Sequence, residues 1–181
     1  QNHYPGLMDK MALIHNSYDL DIHRNSTDQN TSKTSSLLPV PSAEQTFKLV
    51  FLGKFRSSSP IEPVIKLFDR IRIRYPDLFT DLRLYHIGAL SGDVSNRIKT
   101  LQLEELFMPM HAVPYNEVPE MLADFQVLLS ILNPNRDMVI PSKFWDYLPA
   151  QAPIISIGGN AEMADILSNT KSLFYYEIKN I

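Results

Sequence analysis

What most constrains this chain is a repeating order of short apolar runs and longer segments with helical spacing. Phe47–Leu52, Leu82–Ile87, Phe107–Val113, Val127–Leu132, Ile154–Ile157 and Leu173–Ile178 are short, rich in β-branched and aromatic residues, and read as strands. Between the first two, Ile61, Val64, Ile65, Phe68 and Ile71 fall on one helical face after Pro60. Helices are likewise expected over 93–103 (Val94, Ile98, Leu101 inward), over 117–125 (Val118, Met121, Leu122, Phe125 inward) and over 160–167. A strand, a crossover helix and another strand build parallel pairing, and the fixed hand of the crossover places helices on both faces. Val127–Leu132 is apolar almost throughout, as a central strand buried on both faces would be. Pro109 cannot donate to a ladder, so its strand suits a sheet edge. The expected fold class is α/β, a parallel sheet of about six strands with helices on both faces.

This pattern occupies residues 46–181. Residues 1–45 read as a leader and a flexible linker. Met11–His15 resembles a strand and Asn16–Asp19 a turn; from Asn25 to Gln45 the chain is rich in Asn, Ser, Thr and Gln. Asn25-Ser26-Thr27 and Asn30-Thr31-Ser32 match the short glycosylation acceptor pattern, which carries little weight without a secretion signal. With 44% hydrophobic residues the composition is globular, and a net charge of −3 argues against a nucleic-acid partner. The absence of cysteine excludes disulfides and thiolate metal sites and fits a reducing compartment. No apolar run approaches the roughly 20 residues of a membrane span. The chain starts at Gln1 without an initiator Met or a signal peptide, so it is expected to be a piece of a longer protein.

Sheets of this kind bind ligands at the carboxyl ends of their strands, where the strand order reverses. The loops after Gly53, Gly88, Val113, Leu132 and Gly158 are therefore expected to line one crevice, and Gly53 and Gly88 suit close backbone approach. Neither GxGxxG nor GxxxxGK[ST] occurs. In the 141–158 stretch, Pro141 and Ser142 mark a helix start, Lys143 follows, and Asp146 lies a turn inside. Free N–H groups at such a start attract anions, phosphate above all, and the acid can accept sugar hydroxyls. An ordinary amphipathic helix with Lys143 and Asp146 solvated fits these residues equally well. Lys54 and Arg56 directly follow a strand end, as phosphate contacts or as a solvated loop pair. His86 reads as a core histidine within a strand, His111 as a strand-end residue near the crevice, and Trp145 as core. Arg70, Arg72 and Arg74 scatter around a helix surface and read as solvated. No His and acid cluster has metal-ligand spacing, and no Ser/His/Asp arrangement is evident.

Taken in order, strand-Gly53-Lys54-Phe55-Arg56, strand-Gly88, strand-Val113-Pro114, an acidic helix, an apolar strand, Ile140–Leu148 and Pro153-Ile154-Ile155 resemble the C-terminal, Rossmann-like half of GT-B-fold glycosyltransferases. The likeness is greatest to the retaining group that builds bacterial surface polysaccharides, and Ile14–Asp19 is similar to that family's crossing between domains. The resemblance implies a nucleotide-sugar donor site and transfer of a hexosyl group to a glycan or lipid-linked acceptor, in the cytoplasm or at the inner face of the membrane. It implies diphosphate contacts from Lys54, Arg56 and the N–H groups of Ser142 and Lys143, ribose contacts from Asp146, and base contacts from the backbone of Val113, Pro114 and Tyr115. It names no catalytic residue here, no metal and no cofactor beyond the donor, and it implies that the acceptor half and the closing helices lie outside this chain, which alone is expected to be inactive. The chain departs from the pattern at Asp146, where Glu is usual, at Met138 beside Asp137, where an earlier Glu is usual, at Ser59, where a second cation is usual, and at Ser17 in place of a glycine. Two alternatives remain: a noncatalytic Rossmann-like interaction domain, and a GT-B-like nucleotide-sugar epimerase.

Overall fold

A computed structural model describes residues 46–133, 139–150, 152–168 and the backbone of 173–176. The expected strand, turn, linker and acceptor patterns of residues 1–45, and Met138 with Asp137, lie outside the described residues. Six strands, β1 (Phe47–Leu52), β2 (Leu82–Ile87), β3 (Phe107–Met110), β4 (Val127–Ile131), β5 (Ile154–Ile157) and β6 (Leu173–Tyr176), form one sheet. Every pairing is parallel, and the order is β3-β2-β1-β4-β5-β6. The helices are α1 (Glu62–Arg74), α2 (Pro76–Asp81), α3 (Gly92–Thr100), α4 (Val118–Leu122), α5 (Ser142–Tyr147) and α6 (Ala161–Ser168).

The two faces of the sheet bury separate cores because successive strand residues point to opposite sides. Leu49, Phe51, Leu84 and Leu129 pack with Val64, Ile65 and Phe68 of α1 and Ile98 of α3. Val50, Tyr85, Ile87 and Leu128 pack with Met121, Phe144, Tyr147 and Met163 of α4, α5 and α6. All five residues of β4 are buried, as its apolar run predicts, and β3 with Pro109 is an edge strand.

Several boundaries differ from the sequence expectation for local reasons. The expected helix over 93–103 ends at Thr100, because Gln102 takes a positive φ of 54° and turns Leu103 into the core. β3 stops at Met110 rather than Val113, because Met110 pairs with Ile87, the last residue of β2, its one neighbour in the sheet. The expected 117–125 helix is a 3-10 turn over Tyr115–Glu117 followed by α4. Helix α2 was not expected. Tyr75 breaks α1 with an extended φ of −141°, as the residue before a proline favours, and Pro76 opens the new helix. Arg70, Arg72 and Arg74 are exposed, with Arg72 paired to Asp69.

Candidate functional site

The sheet runs β1 to β2 to β3 in one direction and then returns to β4 on the other side of β1. The order therefore reverses between β1 and β4. These strands pair only at Leu49 with Val127 and Val50 with Leu128, and so part company before β1 ends. A cleft of about 530 Å³ opens at that point, lined by Phe51–Lys54, Arg56–Ser59, Leu129–Leu132, Val139–Lys143 and Tyr147.

The four residues expected at the phosphates come together here. Lys54 and Arg56 from the β1 loop and Ser142 and Lys143 from the start of α5 all line the cleft, as does Gly53. Arg56 and Ser59 exchange two backbone hydrogen bonds of 3.1 and 2.9 Å, which folds the loop back on itself. Asn133, just after β4, holds that turn: its N–H donates to the Ser58 carbonyl at 2.9 Å and its amide to the Ser57 carbonyl at 2.8 Å. Ser59, which stands where a second cation was expected, thus lies in the cleft through its place in the turn.

Asp146, expected at the ribose, does not line the cleft. It is 7% exposed and is engaged on both oxygens. The Tyr115 hydroxyl donates to Oδ1 at 3.2 Å, and Lys143 Nζ sits 3.4 Å from Oδ2. Lys143 Nζ also lies 6.0 Å from the centre of the Tyr115 ring. Lys143 therefore stands between the cleft and a second cluster that unites Asp146 with Tyr115 of the expected base loop. Val113 is half-buried and Pro114 exposed beside it, and neither lines the cleft. The surface reading of Asp146 does not hold, whereas Lys143 is partly exposed.

Of the five strand-end loops expected to share one crevice, those after β1 and β4 do; Gly88, Val113 and Gly158 do not line it. Gly88 instead supports the β1 loop from behind. At its φ of +146°, an added Cβ would lie 2.4 Å from the Gly53 carbonyl oxygen, so glycine is required for close packing. His86 is fully buried, as expected of a core histidine, with Nε2 2.7 Å from the same carbonyl. Its burial pushes the imidazole pKa down, and the Gly53 hydrogen bond opposes this only in part. His111 is exposed, and Trp145 packs edge-on against Phe144.

Sequence reasoning overlooked Tyr147. Its hydroxyl accepts from the Leu52 N–H at 2.8 Å, where β4 has diverged and offers no carbonyl. Complete burial drives its phenol pKa upward, so it stays protonated. The signal was present in the sequence as an aromatic with a polar tip following a helix start, but its partner is 95 positions away.

Among the described residues, no helix is long and apolar enough to cross a membrane and no group of three or more His, Cys, Asp or Glu is arranged to hold a metal. No family model and no curated protein matches the chain. Solved structures do, and together they define the class of fold: the Rossmann-like domain of GT-B glycosyltransferases. A trehalose-6-phosphate synthase, OtsA, superposes with a TM-score of 0.61 at 11% identity, over 88% of this chain and 38% of that one. A Burkholderia vietnamiensis α,α-trehalose-phosphate synthase (UDP-forming) gives 0.52 at 15%, over 72% and 34%. A variant of S. aureus TarM, in complex with UDP, fondaparinux and α-GlcNAc-glycerol, gives 0.55 at 11%, over 80% and 29%. The chain thus spans well under half the length of the proteins it superposes on.

Proposed function

We propose that this domain binds the diphosphate of a nucleotide sugar in the β1–β4 cleft. As the donor half of a retaining glycosyltransferase, it would serve hexosyl transfer to a glycan or lipid-linked acceptor held by a second domain. The observation that carries this reading is convergence. Two cations of the β1 loop and the start of α5 meet in one cleft at the point where the strand order reverses. A diphosphate leaving group gathers negative charge as the glycosidic bond breaks, and fixed cations and N–H dipoles stabilise that charge without reorganising. On this reading Lys54 and Arg56 meet the phosphates with the Ser142 and Lys143 amides. The nucleoside extends past Lys143 toward Asp146 and Tyr115. The domain supplies binding and orientation; no residue here is assigned to bond making, and no metal is invoked.

A second reading draws on the engaged state of Asp146. A carboxylate already bonded to Tyr115 and Lys143 is what a domain retained for interaction alone would also show. Calorimetric titration with UDP, GDP and their sugars separates the two. Binding that Lys54→Ala weakens at least tenfold supports the donor site. Absence of heat with every nucleotide, from protein shown to be folded, rejects it in favour of the interaction domain.

A further inference from the structure

His86 is the one buried histidine in the described residues, and nothing in the donor-site reading uses it. It sits at the C-terminal end of β2, opposite Phe51 of β1 in the register. Two contacts of this imidazole fall on either side of Lys54. On one side Nε2 donates to the Gly53 carbonyl at 2.7 Å. On the other the ring stacks on Phe55, with centroids 5.0 Å apart and planes at 19°. Phe51 completes the stack, 4.6 Å from Phe55 and 5.8 Å from His86.

The consequence for Lys54 follows from peptide geometry. The Gly53 carbonyl and the Lys54 N–H belong to one planar trans peptide and point in opposite directions. Fixing the carbonyl therefore fixes the N–H. Gly88 removes the freedom that remains, since its α-carbon packs so closely that a Cβ there would strike the Gly53 oxygen. No hydrogen-bond partner of the Lys54 N–H lies among the described residues, and Lys54 lines the cleft. The tautomer is set by the same bond: with the proton on Nε2, Nδ1 is a bare lone pair, buried without a partner. An unpartnered buried nitrogen is costly in a side chain whose only duty is to fill space. A residue of pure packing would be better served by Phe.

We infer that His86 is a positioning residue for the cleft, its imidazole clamping Gly53 and Phe55 so that the Lys54 amide and side chain are aimed at the donor's phosphate. The inference deepens the donor-site reading and rests on it for the identity of the ligand.

The test compares three variants of the full chain. His86→Phe keeps the stack and loses the donor. His86→Gln places an amide N–H near the position of Nε2, and His86→Asn, equally polar, is too short to reach Gly53. Two quantities are read well below each variant's unfolding midpoint: UDP affinity by calorimetry, and the Lys54 backbone amide shift by NMR without ligand. The expected result is a loss of about tenfold in UDP affinity for Phe and Asn, the worth of one aligned hydrogen bond, with Gln within about threefold of wild type. The Lys54 amide should move in Phe and Asn and return in Gln. If wild type binds UDP and all three variants match it within twofold, the positioning role is overturned while the donor site stands. If wild type binds none of UDP, GDP and their sugars, the donor site falls and the amide shift decides alone; if it binds a nucleotide other than UDP, that nucleotide takes UDP's place in the titrations. Displacement in Phe and Asn with recovery in Gln supports the clamp, and an unmoved amide overturns it.

Discussion

Two buried tyrosines pack in the same core on the same face of the sheet, and they should respond to loss of their hydroxyls in opposite directions. Tyr147 is 1% exposed and its oxygen is the acceptor for the Leu52 N–H. In Tyr147→Phe that N–H has no substitute, because β4 has already turned away and Leu52 is itself buried. Stranding a buried backbone donor costs about 1–3 kcal/mol. For a chain of this length, a loss of about 2 kcal/mol lowers the thermal midpoint by about 4–8 °C. Tyr85 is equally buried, but its hydroxyl has no partner among the described residues. Its ring stays packed edge-on against Phe125 at 5.3 Å in Tyr85→Phe, so the variant sheds an unsatisfied group and keeps its contacts. It should match wild type or gain up to about 1 kcal/mol. Urea and thermal unfolding followed by circular dichroism measure both. Equal shifts in the two variants, or a Tyr147→Phe loss under about 0.3 kcal/mol, would show that water reaches Leu52 through the cleft and that the hydroxyl does not complete β1.

Other consequences are more local. Gly88→Ala should lose about 1–3 kcal/mol from the strained φ alone, with the clash against the Gly53 oxygen added, and its unfolding midpoint should fall clearly below that of Gly92→Ala, where nothing lies within reach of the new methyl. The His86 pKa lies below its unfolded value, so the unfolded chain binds the proton first as pH falls. The stability attached to neutral His86 is complete above about pH 6.5, is lost as pH drops from there toward the folded pKa, and levels off below it. Urea midpoints between about pH 5 and 8 should show that slope in wild type and not in His86→Phe. On the proposed reading, Tyr115→Phe should raise nucleotide affinity by up to tenfold, and a loss of affinity would reassign the hydroxyl from Asp146 to the ligand.

Much of this was legible in the sequence because it is encoded locally. Alternation of apolar runs with helical spacing gave the parallel sheet, Pro109 its edge and Val127–Leu132 its centre. The meeting of Lys54, Arg56, Ser142 and Lys143 in one cleft was legible too, since each stands next to a strand end or a helix start. What could not be read depends on distances between strands. Whether five loops share a crevice is decided by where β1 and β4 separate, and no run of residues states that. The roles of Tyr147, Asn133 and Gly88 arise from partners far along the chain, at Leu52, Ser57 and Ser58, and Gly53. Asp146 was read as an acid on a short helix; its partner Tyr115 comes from the loop after β3, 31 positions away.

The engaged state of Asp146 bears on how the site would fill. To take a ribose, the carboxylate must exchange Tyr115 for sugar hydroxyls. The bond surrendered is a long one, 3.2 Å, from a ring that is 49% exposed on a 3-10 turn. A hydrogen bond to a carboxylate contributes about 1.5–3 kcal/mol when well formed; at this length and exposure the low end applies, and the sugar hydroxyls replace it in kind. Lys143 need not be displaced at all. Its side chain is 44% exposed at 3.4 Å from the acid, a pair worth at most about 1 kcal/mol, and it already borders the cleft where phosphate would sit. A phosphate arriving there would share the ammonium and loosen its hold on Asp146, just as the ribose needs the carboxylate. The cost of opening the ribose side is therefore at most about one factor of ten in affinity. That is small against two cations and a set of fixed amides around a diphosphate, so on the proposed reading the contact between Tyr115 and Asp146 would tune nucleotide binding and would not forbid it.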